Sequence, residues 1–198
     1  HSLTEKEFSG YLTNAVAAKP DVLLLLNFGA QSSDTLRQAI SFGMNKNMTI
    51  LIAWASGLEQ FESLGADLCD GVYFGAQYWH TVDTPLNRDL VQRCNDKFKA
   101  NPNYSLAGHY ICTKLMIDAI VKAGTVDPKA VVAALEGMKY QGLTGEEEVR
   151  KADHQVLKNY YLLKGKAKSK MKNKDDYVDV VSSGKSFLPV DQTGCKLA

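Results

Sequence analysis

Lys19-Pro20-Asp21-Val22-Leu23-Leu24-Leu25-Leu26-Asn27-Phe28-Gly29 is the stretch that decides the fold class. Pro20 stops whatever helix precedes it. The five apolar residues that follow do not alternate with polar ones, so they read as a central strand covered on both faces. Asn27-Phe28-Gly29 then closes the strand. Upstream, residues 8–18 read as a helix whose Phe8, Leu12, Ala15 and Val16 share one face. Downstream, Ser32-Ser33-Asp34 offers N-cap side chains for a helix over 35–42, which Gly43 ends. Residues 49–54 read as a second buried strand, 58–64 as a short helix and 71–74 as the start of a third strand. Helix and strand alternate throughout, the pattern of a parallel, doubly wound α/β sheet.

The pattern changes after Tyr78-Trp79. Residues 85–99 predict an amphipathic helix with Leu86, Leu90, Cys94 (or Val91) and Phe98 along its apolar stripe. A longer helix is expected over 105–123, and a third over 127–135, with Asp127 as cap and Pro128 in the first turn. Three helices in succession do not continue the first sheet and are expected to cover a different one. Residues 156–163 and 177–181 read as strands flanking a lysine-rich segment, 164–174. The tail, 184–198, has no period and is expected to be extended.

The 198 residues are 45% hydrophobic and 23% charged, which excludes a disordered chain, and 15 Gly without a triplet period exclude a collagen-like one. With 23 basic and 22 acidic residues, no global positive field points to nucleic acid. The longest apolar run is far below the ~20 residues of a membrane helix, so a soluble chain is expected. The first residue is His1 and no charged segment followed by an apolar one precedes the fold, so the N-terminus reads as processed or cut. The four cysteines form no C-x-x-C pair. Cys112, within an apolar helix pattern, is expected to be a buried small hydrophobe. A disulfide to Cys195 stays open, depending on the redox compartment.

No sequence pattern supports an enzyme. Nucleophile-elbow, phosphate-loop, dinucleotide and zinc-protease motifs are absent, and the four histidines never reach metal-ligand spacing. Neither a metal nor a cofactor is expected. His109 reads as helix core or helix surface. Glu146-Glu147-Glu148 reads as a solvated acidic turn rather than a catalytic carboxylate pair. The six lysines of 164–174 could touch phosphates or an acidic lipid surface, but the segment lacks arginines and interleaved aromatics and Asp175-Asp176 follow it, so it reads as a solvated loop rather than a nucleic-acid site. The carboxyl ends of the strands carry the better signal, because ligands bind there in open α/β sheets. Asn27-Phe28-Gly29, Trp54-Ala55-Ser56 and Gln77-Tyr78-Trp79 each join a polar group to an aromatic or small one, as a small-molecule cleft requires. Packing would use the same residues, and the residues alone do not separate the two readings.

Several stretches carry a family likeness. Lys19-Pro20-Asp21-Val22 through Asn27-Phe28-Gly29 to Leu36-Arg37-Gln38-Ala39 and Phe42-Gly43 forms one motif. Tyr78-Trp79 with Asp83, His109-Tyr110, Arg150 with Asp153-His154-Gln155, and the terminal Gly194-Cys195-Lys196-Leu197 follow in order. Together they resemble the Leu/Ile/Val-binding type of periplasmic substrate-binding proteins of ABC transporters, with Lys196 where that family usually has Pro.

The resemblance implies a type I periplasmic-binding fold, two lobes joined by a hinge, of which this chain would be the C-terminal half. Residues 1–77 would form the α/β segment of lobe 2, 78–83 the hinge crossover, 84–137 helices of lobe 1, and 138–198 the return to lobe 2 and the tail. It implies an extracytoplasmic binder, periplasmic or lipid-anchored outside the cell, that delivers a small organic solute to an ABC permease. The missing N-terminal half of the same protein would be a further partner, and nucleic acid would not. A ligand sensor of the same fold, of the amide or urea receptor type, is the alternative. Ligand-facing positions carried over are Asn27, Phe28, Gly29, Trp54 and Ala55, with Tyr78 near the hinge. Amino-acid-binding members often place an acid for the ammonium near Trp54-Ala55, where this chain has Ala55 or Ser56. An apolar or aromatic carboxylate is therefore expected in preference to a standard branched-chain amino acid.

Overall fold

The computed structural model describes residues 1–197. Along the chain lie α1 (Ser9–Ala18), β1 (Val22–Leu25), α2 (Ala30–Ser41), β2 (Thr49–Ile52), α3 (Leu58–Leu64), α4 (Ala66–Cys69) and β3 (Tyr73–Ala76). There follow α5 (Pro85–Phe98), α6 (Tyr104–Ala123), α7 (Pro128–Leu135), β4 (Lys139–Gly142), β5 (Gly145–Val149), β6 (Val156–Leu157), β7 (Tyr160–Gly165) and β8 (Val178–Gly184). The chain divides into two units, His1–Gln77 with Tyr161–Ser183, and Tyr78–Tyr160 with the residues from Gly184 onward. Ala198, the last residue of the expected return segment, lies outside the described residues.

The first unit is built on a five-stranded sheet of order β1-β2-β3-β7-β8. The first three strands are parallel, as the alternation of helix and strand predicts, and β7 is antiparallel to β3. The register aligns Leu25 with Ile52, Ile52 with Phe74, and Phe74 with Leu163. These residues form one buried sheet face, against which Phe61 of α3 packs with its ring 4.7 Å from that of Phe74. Each such side chain removed from water contributes roughly 2 kcal/mol. The N-terminal segment is tied to α2 by side-chain amides: Gln31 donates to the carbonyl of Glu5, and Gln38 accepts from the Phe8 amide at 2.7 Å.

Two expectations are corrected here. β1 is not central but an edge strand among the described residues, and it is buried on one side only, with Val22 and Leu24 each 52% exposed. The sequence is written for two-sided burial and this chain supplies one cover. Helix α2 also begins five residues earlier than expected. Gly29, at φ +62°, turns the chain from the strand end straight into the helix, so no cap is needed at Ser32-Ser33-Asp34. Ser32 and Ser33 are instead buried within the first turns. Gly43 ends this helix in the left-handed conformation, as expected, with its amide on the Ile40 carbonyl.

In the second unit the helices start within one residue of where the sequence places them, each on a capping side chain, of which the sequence reading named Asp127. Thr84 accepts from the Asn87 amide, Asn103 from Leu106 and Asp127 from Ala130. Tyr78, Leu90, Cys94, Ala107 and Leu143 form one core, and Ala119, Val131 and Ala134 another. A three-stranded sheet, β4-β5-β6, follows α7, where the sequence reading assigned no strand before residue 156. The acidic triplet is therefore not a solvated turn: it lies in β5, and Glu147 is only 2% exposed. The expected strand 156–163 is two strands in different sheets, broken where the Asn159 side chain donates to the Thr144 carbonyl at 2.7 Å. Cys112 is exposed rather than buried, because the apolar girdle of α6 is covered on only part of its circumference. The tail contains a 3₁₀ turn, Val190–Gln192, and is held by Arg150, which donates to the Leu188 carbonyl at 3.1 Å.

Candidate functional site

The carboxyl ends of β1 and β2 lie side by side, and the loops that leave them form a rim. Phe28 and Trp54 meet there edge to face, with ring centroids 5.3 Å apart. They are 52% and 45% exposed, so the pair is a surface rather than part of the core. Such a geometry holds two large rings in fixed orientation without burying either.

The rim is stiffened from beneath by Gln60 of α3. Its Oε1 accepts from the Ser56 amide at 2.8 Å, and its Nε2 donates to Ser32 Oγ at 3.0 Å, so one buried side chain couples the β2 loop to the first turn of α2. The Asn27 side chain donates to Thr35 Oγ1 at 3.0 Å, which fixes its amide toward α2. Gly29 is the N-cap of α2, and the first-turn amides of that helix favour negative charge beside the aromatic pair. Ala55 is buried, and its amide donates to the Gly75 carbonyl at 2.7 Å, closing the β2 end onto β3. The Ser56 hydroxyl is buried without a hydrogen-bond partner among the described residues.

The structure thus brings together Asn27, Phe28, Gly29, Trp54 and Ala55. Tyr78 belongs to the second unit, where it is buried and its hydroxyl donates to Asn87 Oδ1 at 2.7 Å. Gln60 was missed in the sequence reading. Its spacing of four residues from Ser56 on a short helix was the available signal, and only the fold shows that it also reaches Ser32.

The sequence profile described as periplasmic binding protein matches residues 1–170. The chain belongs to that family. Its members are solute-binding proteins rather than enzymes, and membership implies an extracytoplasmic location. Among the described residues no helix is long and apolar enough to cross a membrane. The chain is similar to the amino acid ABC transporter substrate-binding protein from Pseudomonas fluorescens Pf-5, with 56% identity and a TM-score of 0.94, over 100% of this chain and 53% of that one. It is also similar to a periplasmic binding protein from Burkholderia mallei, with 26% identity and a TM-score of 0.81, over 93% of this chain and 48% of that one. A solute-binding protein of an ABC transporter from R. palustris, solved in complex with benzoate, shares the fold at 16% identity and a TM-score of 0.78, over 100% of this chain and 52% of that one. The chain spans about half the length of the solved structures that it matches. A search of curated protein sequences returns no match. This periplasmic binding protein fold, with its mixed sheet and strand-end rim, agrees with the fold that the sequence motifs imply.

Proposed function

We propose that this chain is the C-terminal half of an extracytoplasmic solute-binding protein that delivers a small organic acid, apolar or aromatic in its body, to an ABC importer. The observation that carries the reading is the exposed Phe28–Trp54 pair beside the N-terminus of α2. Two rings offer an apolar wall, and the first-turn amides offer partial positive charge to a carboxylate. At the β2 end Ala55 and Ser56 stand where, by the family resemblance, an acid would be needed to hold an ammonium. The benzoate complex of the R. palustris protein lends support from the same fold.

In this reading the first unit is most of lobe 2, and α5, α6 and α7 belong to lobe 1, with residues 78–83 as the hinge. Two open apolar surfaces support a missing half. One is the outer face of β1 at Val22 and Leu24. The other is a groove of about 640 Å³ between α5 and α6, lined by Leu90, Cys94, Phe98, Leu106, Tyr110 and Ile117. The N-terminal half of the protein covers both, and a permease receives the closed, loaded form.

A thermal-shift panel on the full-length protein tests the proposal, using aromatic and aliphatic carboxylates, amino acids, amides and urea. A ligand at about 100 times its dissociation constant adds roughly 2.7 kcal/mol. Stabilisation by carboxylates that lack an ammonium is the expected result. Stabilisation only by zwitterionic amino acids overturns the ligand class, and a response to none of them removes the transport reading.

A further inference from the structure

Lys164, Lys166, Lys168, Lys170, Lys172 and Lys174 occupy every second position of their segment. A continuous strand would set all six on one face. The fold instead sorts them. Lys164 stays on β7, with its ammonium 5.3 Å from the centroid of the Tyr73 ring. Lys166 turns inward and is 9% exposed, its Nζ 2.7 Å from Asp176 Oδ1 and 2.9 Å from Asp179 Oδ1. The Lys166 amide donates to the Tyr177 carbonyl at 2.8 Å, and the Lys172 amide to Asp176 Oδ2 at 2.9 Å. The Lys168 amide donates to Asp67 of α4 at 3.1 Å.

These contacts close the segment into an anchored loop and leave Lys168, Lys170, Lys172 and Lys174 exposed. None of the four makes an ion pair among the described residues. Because β7 pairs antiparallel with β3, with Tyr73 opposite Lys164, the loop sits at the end of the sheet where β3 begins. Phe28 and Trp54 follow the opposite, carboxyl ends of β1 and β2. Residues 1–77 carry four basic and eight acidic side chains, so the loop is a basic pole on an otherwise acidic unit.

The composition selects the partner. Protein interfaces are enriched in arginine and aromatic residues and depleted in lysine. Single-stranded nucleic acid is gripped by stacking aromatics. The segment 164–174 holds six lysines and neither an arginine nor an aromatic ring. Flexible, hydrated point charges without shape match a fluid array of phosphates. We propose that loop 168–174 is an electrostatic docking patch for the anionic phospholipid surface of a membrane. It leaves the strand-end rim free and does not depend on which ligand that rim takes.

Vesicle flotation of the full-length protein that contains this chain tests the proposal. Each lysine near an anionic bilayer raises partitioning roughly fivefold, and salt screens the effect. The protein is expected to float with vesicles of phosphatidylcholine containing about one third phosphatidylglycerol, to stay behind with pure phosphatidylcholine, and to dissociate as salt rises. Replacing Lys168, Lys170, Lys172 and Lys174 with Gln is expected to lower partitioning at least about tenfold. Replacing Lys6, Lys46, Lys129 and Lys196 with Gln, which gives the same net charge, is expected to leave most of it. All eight side chains are exposed, so both variants keep the wild-type melting midpoint. Equal losses in the two variants would reduce the effect to net charge and overturn the proposal. So would a wild-type protein that ignores anionic vesicles, or one whose loop instead captures an acidic protein surface such as a solubilised permease.

Discussion

The Glu147 carboxylate accepts the Tyr140 hydroxyl at 2.9 Å across the β4–β5 pair. Its other oxygen takes both the amide and the hydroxyl of Thr144, at 3.0 and 2.8 Å. A buried carboxylate with three donors is a latch on the hairpin. Gly142 makes room for it, since a Cβ at that position would overlap the carboxylate.

Removing the latch strands its donors. Glu147→Ala is expected to destabilise the chain by about 3 kcal/mol, because buried hydrogen bonds to a charged group are lost and their partners stay unpaired. Gly142→Ala is expected to act in the same direction by expelling the carboxylate. Urea unfolding midpoints measure both, and a change below about 0.5 kcal/mol for Glu147→Ala would show that the latch is idle.

Burial, then the Glu147 charge and their hydrogen bond, push the Tyr140 phenol well above its ordinary value. The folded chain therefore keeps this proton at pH values where the unfolded chain has lost it. The associated stability is complete below about pH 10 and falls as pH rises beyond it. Tyr140→Phe is expected to flatten that alkaline decline in unfolding experiments while lowering stability near neutrality.

Thiol chemistry distinguishes the cysteines. Cys112 and Cys195 are exposed, whereas Cys69 and Cys94 are buried, and desolvation raises the Cys69 thiol to about 12. A chromogenic disulfide reagent at mild alkaline pH is expected to titrate two thiols in the native chain and all four in denaturant. Four fast thiols in the native chain would contradict the packing around Cys69.

Lys166 is the structural member of the lysine series. Lys166→Ala leaves Asp176 without its main partner and is expected to cost about 3 kcal/mol, as for other largely buried pairs broken on one side. The Asp176 carboxyl, which burial would raise, is held below its ordinary range by the hydrogen bond from Lys166. That contribution is present above about pH 4 and is lost as pH falls through the lowered value. Acid unfolding followed by circular dichroism, with and without Lys166, reads the difference.

At the rim, Trp54→Ala is expected to weaken ligand binding in the full-length protein by about 1–3 kcal/mol. The indole is 45% exposed, so little stability should be lost. Calorimetry with the ligand found by thermal shift measures the affinity, and an unchanged value would make Trp54 a packing residue.

Much of this was legible in the residues. The Asp127 cap announced its helix, since its chemistry acts within one turn, whereas the Thr84 cap was seen only in the structure. The pairing of Phe28 with Trp54 was half legible: each marks a strand end, but their contact needs the β1–β2 register. The buried role of Glu147 was hidden, because a run of three glutamates looks solvated until a hairpin folds one of them inward. Cys112 misled for the converse reason, as an apolar helix pattern does not say which side the rest of the molecule covers.

The sequence by itself determined the parallel α/β order, the helix limits apart from the start of α2, and the ends of the first two strands to within two residues, and its motifs carried the family likeness. Those signals are local: apolar periodicity, caps and turn residues act within a few positions of one another. Only the tertiary structure decided that β1 is an edge with one open face, that Gln60 joins the β2 loop to α2, and that one lysine of six turns inward while four face outward. Each of these depends on contacts between residues far apart in sequence, and on which side of an element finds a neighbour, which no periodicity records.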